Sequence, residues 1–191
     1  MSIFCTGTIN QDGKFVDKRS ARALSVSGLL AVGLALVGML RVYHWGFLVG
    51  PKAEKLKEFP GTRYHVKNSI VTGWNYEELN LRDVQNTTTL LARLLIAKIE
   101  DDELLKEVFR TTPLVQNDPN WRCRTWVEQV LARIISDGRI VGTSQLDWRV
   151  IKQTGREYVA KKKSTGRYTN ATDLMGPRPT WNMLDNQETV P

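Results

Sequence analysis

Apolar and polar positions divide the chain into a strand-rich first half and a helical second half. Val42–Val49 (VYHWGFLV) is aromatic and β-branched and ends at Gly50-Pro51, which predicts a strand. Arg63–Val71 (RYHVKNSIV) predicts a second strand, paired with the first as a hairpin across the charged loop Lys52–Pro60, and Trp74–Leu81 predicts a third. Thr89–Ile99 (TLLARLLIAKI) fits either a buried strand or a helix. Asp101–Thr111 predicts a helix, with acids in its first turn and Pro113 after its end. Asp118-Pro119-Asn120 is a start signal for the clearest helix, in which Trp126, Val127, Val130, Leu131, Ile134 and Ile135 form one stripe before Gly138 stops it. Ser144 is placed to cap a further helix through Tyr158, with Leu146, Val150 and Ile151 inward. The pattern predicts an α+β fold, a small antiparallel sheet with helices packed on it.

The two ends read differently. Residues 1–22 are polar, with a turn at Gln11–Gly13, and predict a short strand or a loose arm. Ala23–Leu40 carries no charge over 18 residues and is flanked by Lys18, Arg19, Arg22 and Arg41. A membrane helix needs about 20 apolar residues. This run is shorter and holds three Gly and two Ser, so a buried core element and a membrane anchor both fit it. A signal peptide does not fit, because 22 residues precede the run and no A-x-A site follows. Beyond Ser164 the chain is rich in Gly, Pro and Asn without periodicity, which predicts a flexible tail. The expected organisation is an N-terminal arm and apolar segment (1–41), a single α+β domain (42–163) and a flexible tail (164–191). The expected location is cytoplasmic, or membrane-associated through Ala23–Leu40.

Composition narrows the chemistry. With 41% apolar and 25% charged residues the chain is of the folded, globular class. Two cysteines exclude a disulfide scaffold and a Cys₄ zinc site, and two histidines exclude a His₃ metal site. HExxH, P-loop and GxGxxG patterns are missing from the sequence, so no metal or cofactor is expected. The net charge is +7, and Lys152–Arg178 carries seven basic against two acidic residues. That excess, around Lys161, Lys162, Lys163 and Arg167, reads as a solvated surface. It lacks the interleaved aromatics of a single-strand nucleic-acid platform, so nucleic acid is not an expected partner.

The candidate chemistry lies in His44, His65 and Cys123. Each His falls inside one of the two paired strands, and neighbouring strands place side chains about 5 Å apart. Cys123 falls near the start of the clearest helix, between Arg122 and Arg124. A helix N-terminus and adjacent cations favour a thiolate, so Cys123 is expected to be the more acidic of the two thiols. A thiol nucleophile needs a base, here His44, whose ring His65 would hold in one tautomer. The expected partner is a small-molecule acyl or amide substrate. The other reading open at this point is a non-catalytic accessory or interaction protein in which these side chains only pack.

His44-Trp45-Gly46-Phe47-Leu48-Val49-Gly50 resembles the His-Trp strand of the lecithin–retinol acyltransferase family. His65 in Arg63-Tyr64-His65 stands at the place of that family's second His. Cys123-Arg124-Thr125-Trp126-Val127 is similar to its Asn-Cys-x-x-Phe-Val segment, with Arg122 where the family has Asn. The order His, His, Cys is that of the family's circularly permuted papain-like fold. The resemblance implies that fold, and a hydrolase or acyltransferase with Cys123 as nucleophile, His44 as base and His65 as third residue. The chain also resembles a group of small fungal proteins that share His44-Trp45…Val49-Gly50-Pro51-Lys52, Tyr64-His65 and Trp121-x-Cys123-x-x-Trp126. That likeness runs over about Val42 to Tyr168. Some of those proteins lie beside secondary-metabolite pathways, which implies a biosynthetic role.

Overall fold

The computed structural model describes residues 8–9, 15–16, 28–37, 42–51, 59–87, 89–170, 173 and 175–191. Thr8–Ile9 (β1) pairs with Phe15–Val16 (β2) as a small antiparallel ribbon. The main sheet comprises Gly28–Val37 (β3), Val42–Gly50 (β4), Gly61–Ser69 (β5), Gly73–Leu81 (β6), Leu90–Ile99 (β7), Val141–Ser144 (β8), Thr180–Asn182 (β9) and Gln187–Val190 (β10). Its order is β10-β9-β7-β3-β4-β5-β6, with β8 also on β7. Every pairing is antiparallel except β7 with β9. Among the described residues there are three helices: Asp102–Thr111 (α1), Cys123–Asp137 (α2) and Trp148–Ser164 (α3). The architecture is α+β.

The helices cover one face of the sheet. Alternate residues Leu30, Val32 and Leu34 of β3, Trp45 and Phe47 of β4, and Tyr64 and Val66 of β5 meet Phe109, Trp126, Val130 and Ile151 in one core. Phe47 and Tyr64 stack on Phe109 at 5.0 and 4.5 Å between ring centroids. Helix α3 approaches the sheet closely because Gly155 has no side chain. A Cβ there would lie 3.0–3.1 Å from Leu94, Leu34 and Trp45. The other residues of these strands point to the opposite face, where Ala31, Leu48, Phe59, Val84 and Leu90 form a smaller cluster.

Two central strands carry apolar residues on both faces, which erases the two-residue alternation. That resolves Thr89–Ile99 as strand β7, and it places the uncharged run in the sheet, since its residues 28–37 are β3 between β4 and β7. The remainder of the run, 23–27 and 38–40, lies outside the described residues. Among the described residues no helix is long and apolar enough to cross a membrane. The domain therefore does not begin at residue 42, and the expected division at 41 is corrected.

The expected flexible tail from 164 is also corrected. Strand β9 hydrogen-bonds alongside Arg93–Leu95, and β10 pairs with β9. Arg178, Thr180 and Asn182 are buried. Arg93 Nε donates to Thr180 Oγ1 at 3.0 Å, and Tyr168 Oη to the Leu91 carbonyl at 3.0 Å. Glu188 accepts from Tyr158 and pairs with Lys162 at 2.6 Å. Lys163 lies over the Tyr43 ring, so two of the three consecutive lysines hold the chain end and β4 rather than standing free. Short polar strands of three and four residues carry too little pattern to be seen in sequence.

Helix bounds shift for local reasons. Asp118 turns the chain by accepting from the Asn120 N–H at 2.8 Å, so Asp118-Pro119-Asn120 forms a turn and α2 starts only at Cys123. Helix α3 is capped by Asp147, which accepts from the Arg149 N–H at 2.8 Å, whereas Ser144 belongs to β8. Ile135 and Val150, expected inward, are exposed at the edges of their helical stripes.

Candidate active site

Strands β4 and β5 are in register only at Phe47↔Tyr64, Leu48↔Arg63 and Val49↔Thr62. Beyond these pairs the two strands are joined by side chains. Gly46 lies against His65, where a Cβ would stand 2.9 Å from His65 Cβ and 3.1 Å from the Tyr64 carbonyl. The absence of a side chain at Gly46 lets the His65 ring lie over β4. His44 Nε2 and His65 Nδ1 are then 2.8 Å apart, with the rings nearly perpendicular at 82°.

The chain of contacts continues into β6. His65 is registered opposite Glu77, and its Nε2 lies 2.7 Å from Glu77 Oε2. Glu77 Oε1 accepts from Lys67 Nζ at 2.5 Å. These bonds fix the proton positions. An ionised carboxylate can only accept, so His65 carries its proton on Nε2 and presents a lone pair at Nδ1. His44 must then donate from Nε2, which leaves His44 Nδ1 as the free basic nitrogen.

Cys123 is the first residue of α2. The helix start is held by the Arg122 N–H donating to Thr125 Oγ1 at 3.3 Å, and by Trp121 packed on Trp74 at 4.8 Å between ring centroids. Gln116 fastens the preceding loop to β6, accepting from the Trp74 N–H at 2.9 Å and donating to the Trp74 carbonyl at 2.7 Å. The stripe from Trp126 to Ile134 seats the helix on the sheet, chiefly over β4. Cys123 thereby borders the cleft at the start of α2. His44, His65 and Cys123 line one cleft of about 420 Å³.

Burial dominates the electrostatics. It pushes the Cys123 thiol up, against the opposing pull of the Trp45 and Arg124 backbone and the Arg124 charge. Desolvation is thus the larger effect at Cys123 and works against the expected acidification, while Cys5, the other thiol of that comparison, lies outside the described residues. Burial, with His65 and Arg63 adding, lowers His44 to about 4, and burial lowers His65 against the favourable Glu77 bond. Glu77 is held down at about 2 by its bonds to Lys67 and His65. The resting site is therefore a neutral thiol and two neutral imidazoles beside a carboxylate.

All three candidate residues thus line one cleft, and Glu77 is hydrogen-bonded to His65. Sequence reasoning missed Glu77. The hairpin turn between the second and third predicted strands pairs position 65 with 77 and was the signal that could have found it. Cys5 lies outside the described residues. Among the described residues no group of three or more His, Cys, Asp or Glu side chains is placed to hold a metal ion.

No curated protein and no solved structure matches the chain. A family model does match residues 32–190, from the second half of the uncharged run to the last residue but one, and so spans β4–β10 and all three helices. The chain belongs to the Family of unknown function DUF6914.

Proposed function

We propose that the protein is a cysteine-dependent hydrolase or acyltransferase of the permuted papain-like type. The observation that supports this best is the relay Glu77–His65–His44 opening on the cleft that holds Cys123. In this reading His44 Nδ1 takes the Cys123 thiol proton as the sulfur attacks an acyl or amide carbonyl. The charge on the carbonyl oxygen is met by backbone N–H groups. The Cys123 N–H, at the first position of α2 where the helix itself supplies no acceptor, is one donor in this reading. The tetrahedral adduct collapses to a Cys123 thioester, and the His44 proton leaves with the departing amine or alcohol. His44 then deprotonates water or an acceptor nucleophile, which attacks the thioester, releases the acyl product and restores the thiol. The raised thiol and weakly basic His44 suit proton transfer within the encounter rather than a standing thiolate–imidazolium pair.

Incubation of the intact protein with an activated acyl ester, followed by peptide mass mapping, tests this. Acylation is expected at Cys123 and not at Cys5. An unreactive Cys123 would instead favour an accessory protein in which these groups only pack.

A further inference from the structure

The acyl chemistry above leaves the rest of the substrate open. Resting on that reading, we propose that the cleft takes a compact acyl compound bearing an anionic group, the anion held by Arg63 and the hydrocarbon part lying on Gly33, Ala35, Leu48 and Leu90. Arg63 lines the cleft two residues before His65, on the same face of β5, while Tyr64 between them points into the helix-covered core. Its Nε is buried and has no hydrogen-bond partner. Among the described residues no ion pair engages it. The other cations of the cleft have partners: Lys67 is bound to Glu77, and Arg122 donates to the Trp121 carbonyl at 2.7 Å.

A buried guanidinium nitrogen without an acceptor is costly, and a carboxylate or phosphate supplies the acceptors its fork is shaped for. Beside it the floor is apolar and shallow. Gly33 leaves a trough in β3 that a Cβ would narrow, standing 3.0 Å from Leu90 and 3.3 Å from Leu48. A cleft of about 420 Å³ is at the small end of ligand sites, which fits a short acyl compound and not a long lipid chain. The Arg63 charge also weakens both imidazoles as bases, so it lies within electrostatic reach of the relay. An anion bound there cancels that field and makes His44 a better base when substrate is present.

His44 and His65 are the only histidines of the chain, so their imidazole NMR signals report on this cleft without overlap. The full-length protein is titrated with hexanoate, n-pentyl phosphate and hexanamide. At least one of the two anions is expected to shift both imidazole signals saturably and to bind about tenfold or more tightly than hexanamide. The better of the two tells carboxylate from phosphate. Arg63→Gln is expected to weaken that anion by about tenfold or more, and Arg63→Lys to recover part of it. The inference is overturned by equal binding of the amide, by anion binding that Arg63→Gln leaves unchanged, or by no binding of any of the three. Acylation of Cys123 is read separately. An anion held by Arg63 beside an unreactive Cys123 keeps the anion site and removes the catalytic role. A reactive Cys123 without anion preference does the reverse.

Discussion

His65 accepts a hydrogen bond from His44 across 2.8 Å, and it can do so only because its other nitrogen is committed to Glu77. One carboxylate on β6 therefore sets the tautomer of two imidazoles and leaves His44 Nδ1 as the free base.

Removing that carboxylate should release the tautomers. Glu77→Ala is expected to mix the Nδ1–H and Nε2–H forms of both rings, read by ¹⁵N NMR of the imidazoles. It should also slow Cys123 acylation by roughly 10- to 100-fold. Unchanged ¹⁵N shifts would mean that the proton positions are set elsewhere.

The Cys123 thiol should titrate late. Burial raises it, so the pH midpoint of its alkylation by iodoacetamide is expected above the free value of about 8.5. A midpoint below neutrality would show that the helix start and Arg124 overcome desolvation.

Acid should destabilise the fold in two steps. His44 titrates at about 4 when folded and near 6.5 when unfolded, so the unfolded chain takes up the proton first as pH falls. Stability present above 6.5 is lost between about 6.5 and 4, on the order of 2–3 kcal/mol. Glu77 acts in the same direction in a lower window. Its stabilisation is present above its ordinary value of 4.5 and is lost as pH falls through about 2. His65, also lowered by burial, acts in the same direction below 6.5, so urea unfolding at a series of pH values measures both steps and His44→Asn should shrink the first while leaving the second.

Gly46→Ala places a methyl carbon 2.9 Å from His65 Cβ. It is expected to cost about 1–3 kcal/mol of stability and to break the His44–His65 bond. The readouts are thermal unfolding and the imidazole NMR signals.

Ending the chain at Ser164 removes β9 and β10, exposes the edge of β7 and strips Arg93 of Thr180. A fall in melting temperature of well over about 4 °C, or failure to fold, is expected. An unchanged transition would show that the chain end is not part of the cooperative unit.

The parts of this fold legible in sequence are those with a strong local pattern. The strand around His44 shows by its aromatic and β-branched residues and its Gly50-Pro51 stop, and the helix after Cys123 by the apolar stripe it buries. The central strands β3 and β7 are buried on both faces, so Gly28–Val37 reads equally as a membrane segment and Leu90–Ile99 equally as a helix. Strands β9 and β10 are short, and Thr180–Asn182 is held by the edge of β7 rather than by any apolar period of its own. At the site, two histidines and one cysteine are conspicuous because they are scarce. Glu77 is one of many carboxylates and gains its place only from hairpin register. The direction of the Cys123 titration was not legible, because sequence shows the helix start and the arginines but not the depth of burial.

The most direct measurement is the rate at which an activated acyl ester acylates Cys123 in the wild-type protein and in His44→Ala, followed by intact mass over time. If His44 Nδ1 takes the thiol proton, His44→Ala lowers the rate by about 100-fold or more while the protein stays folded. Equal rates in the two proteins would contradict the Cys123–His44 pairing.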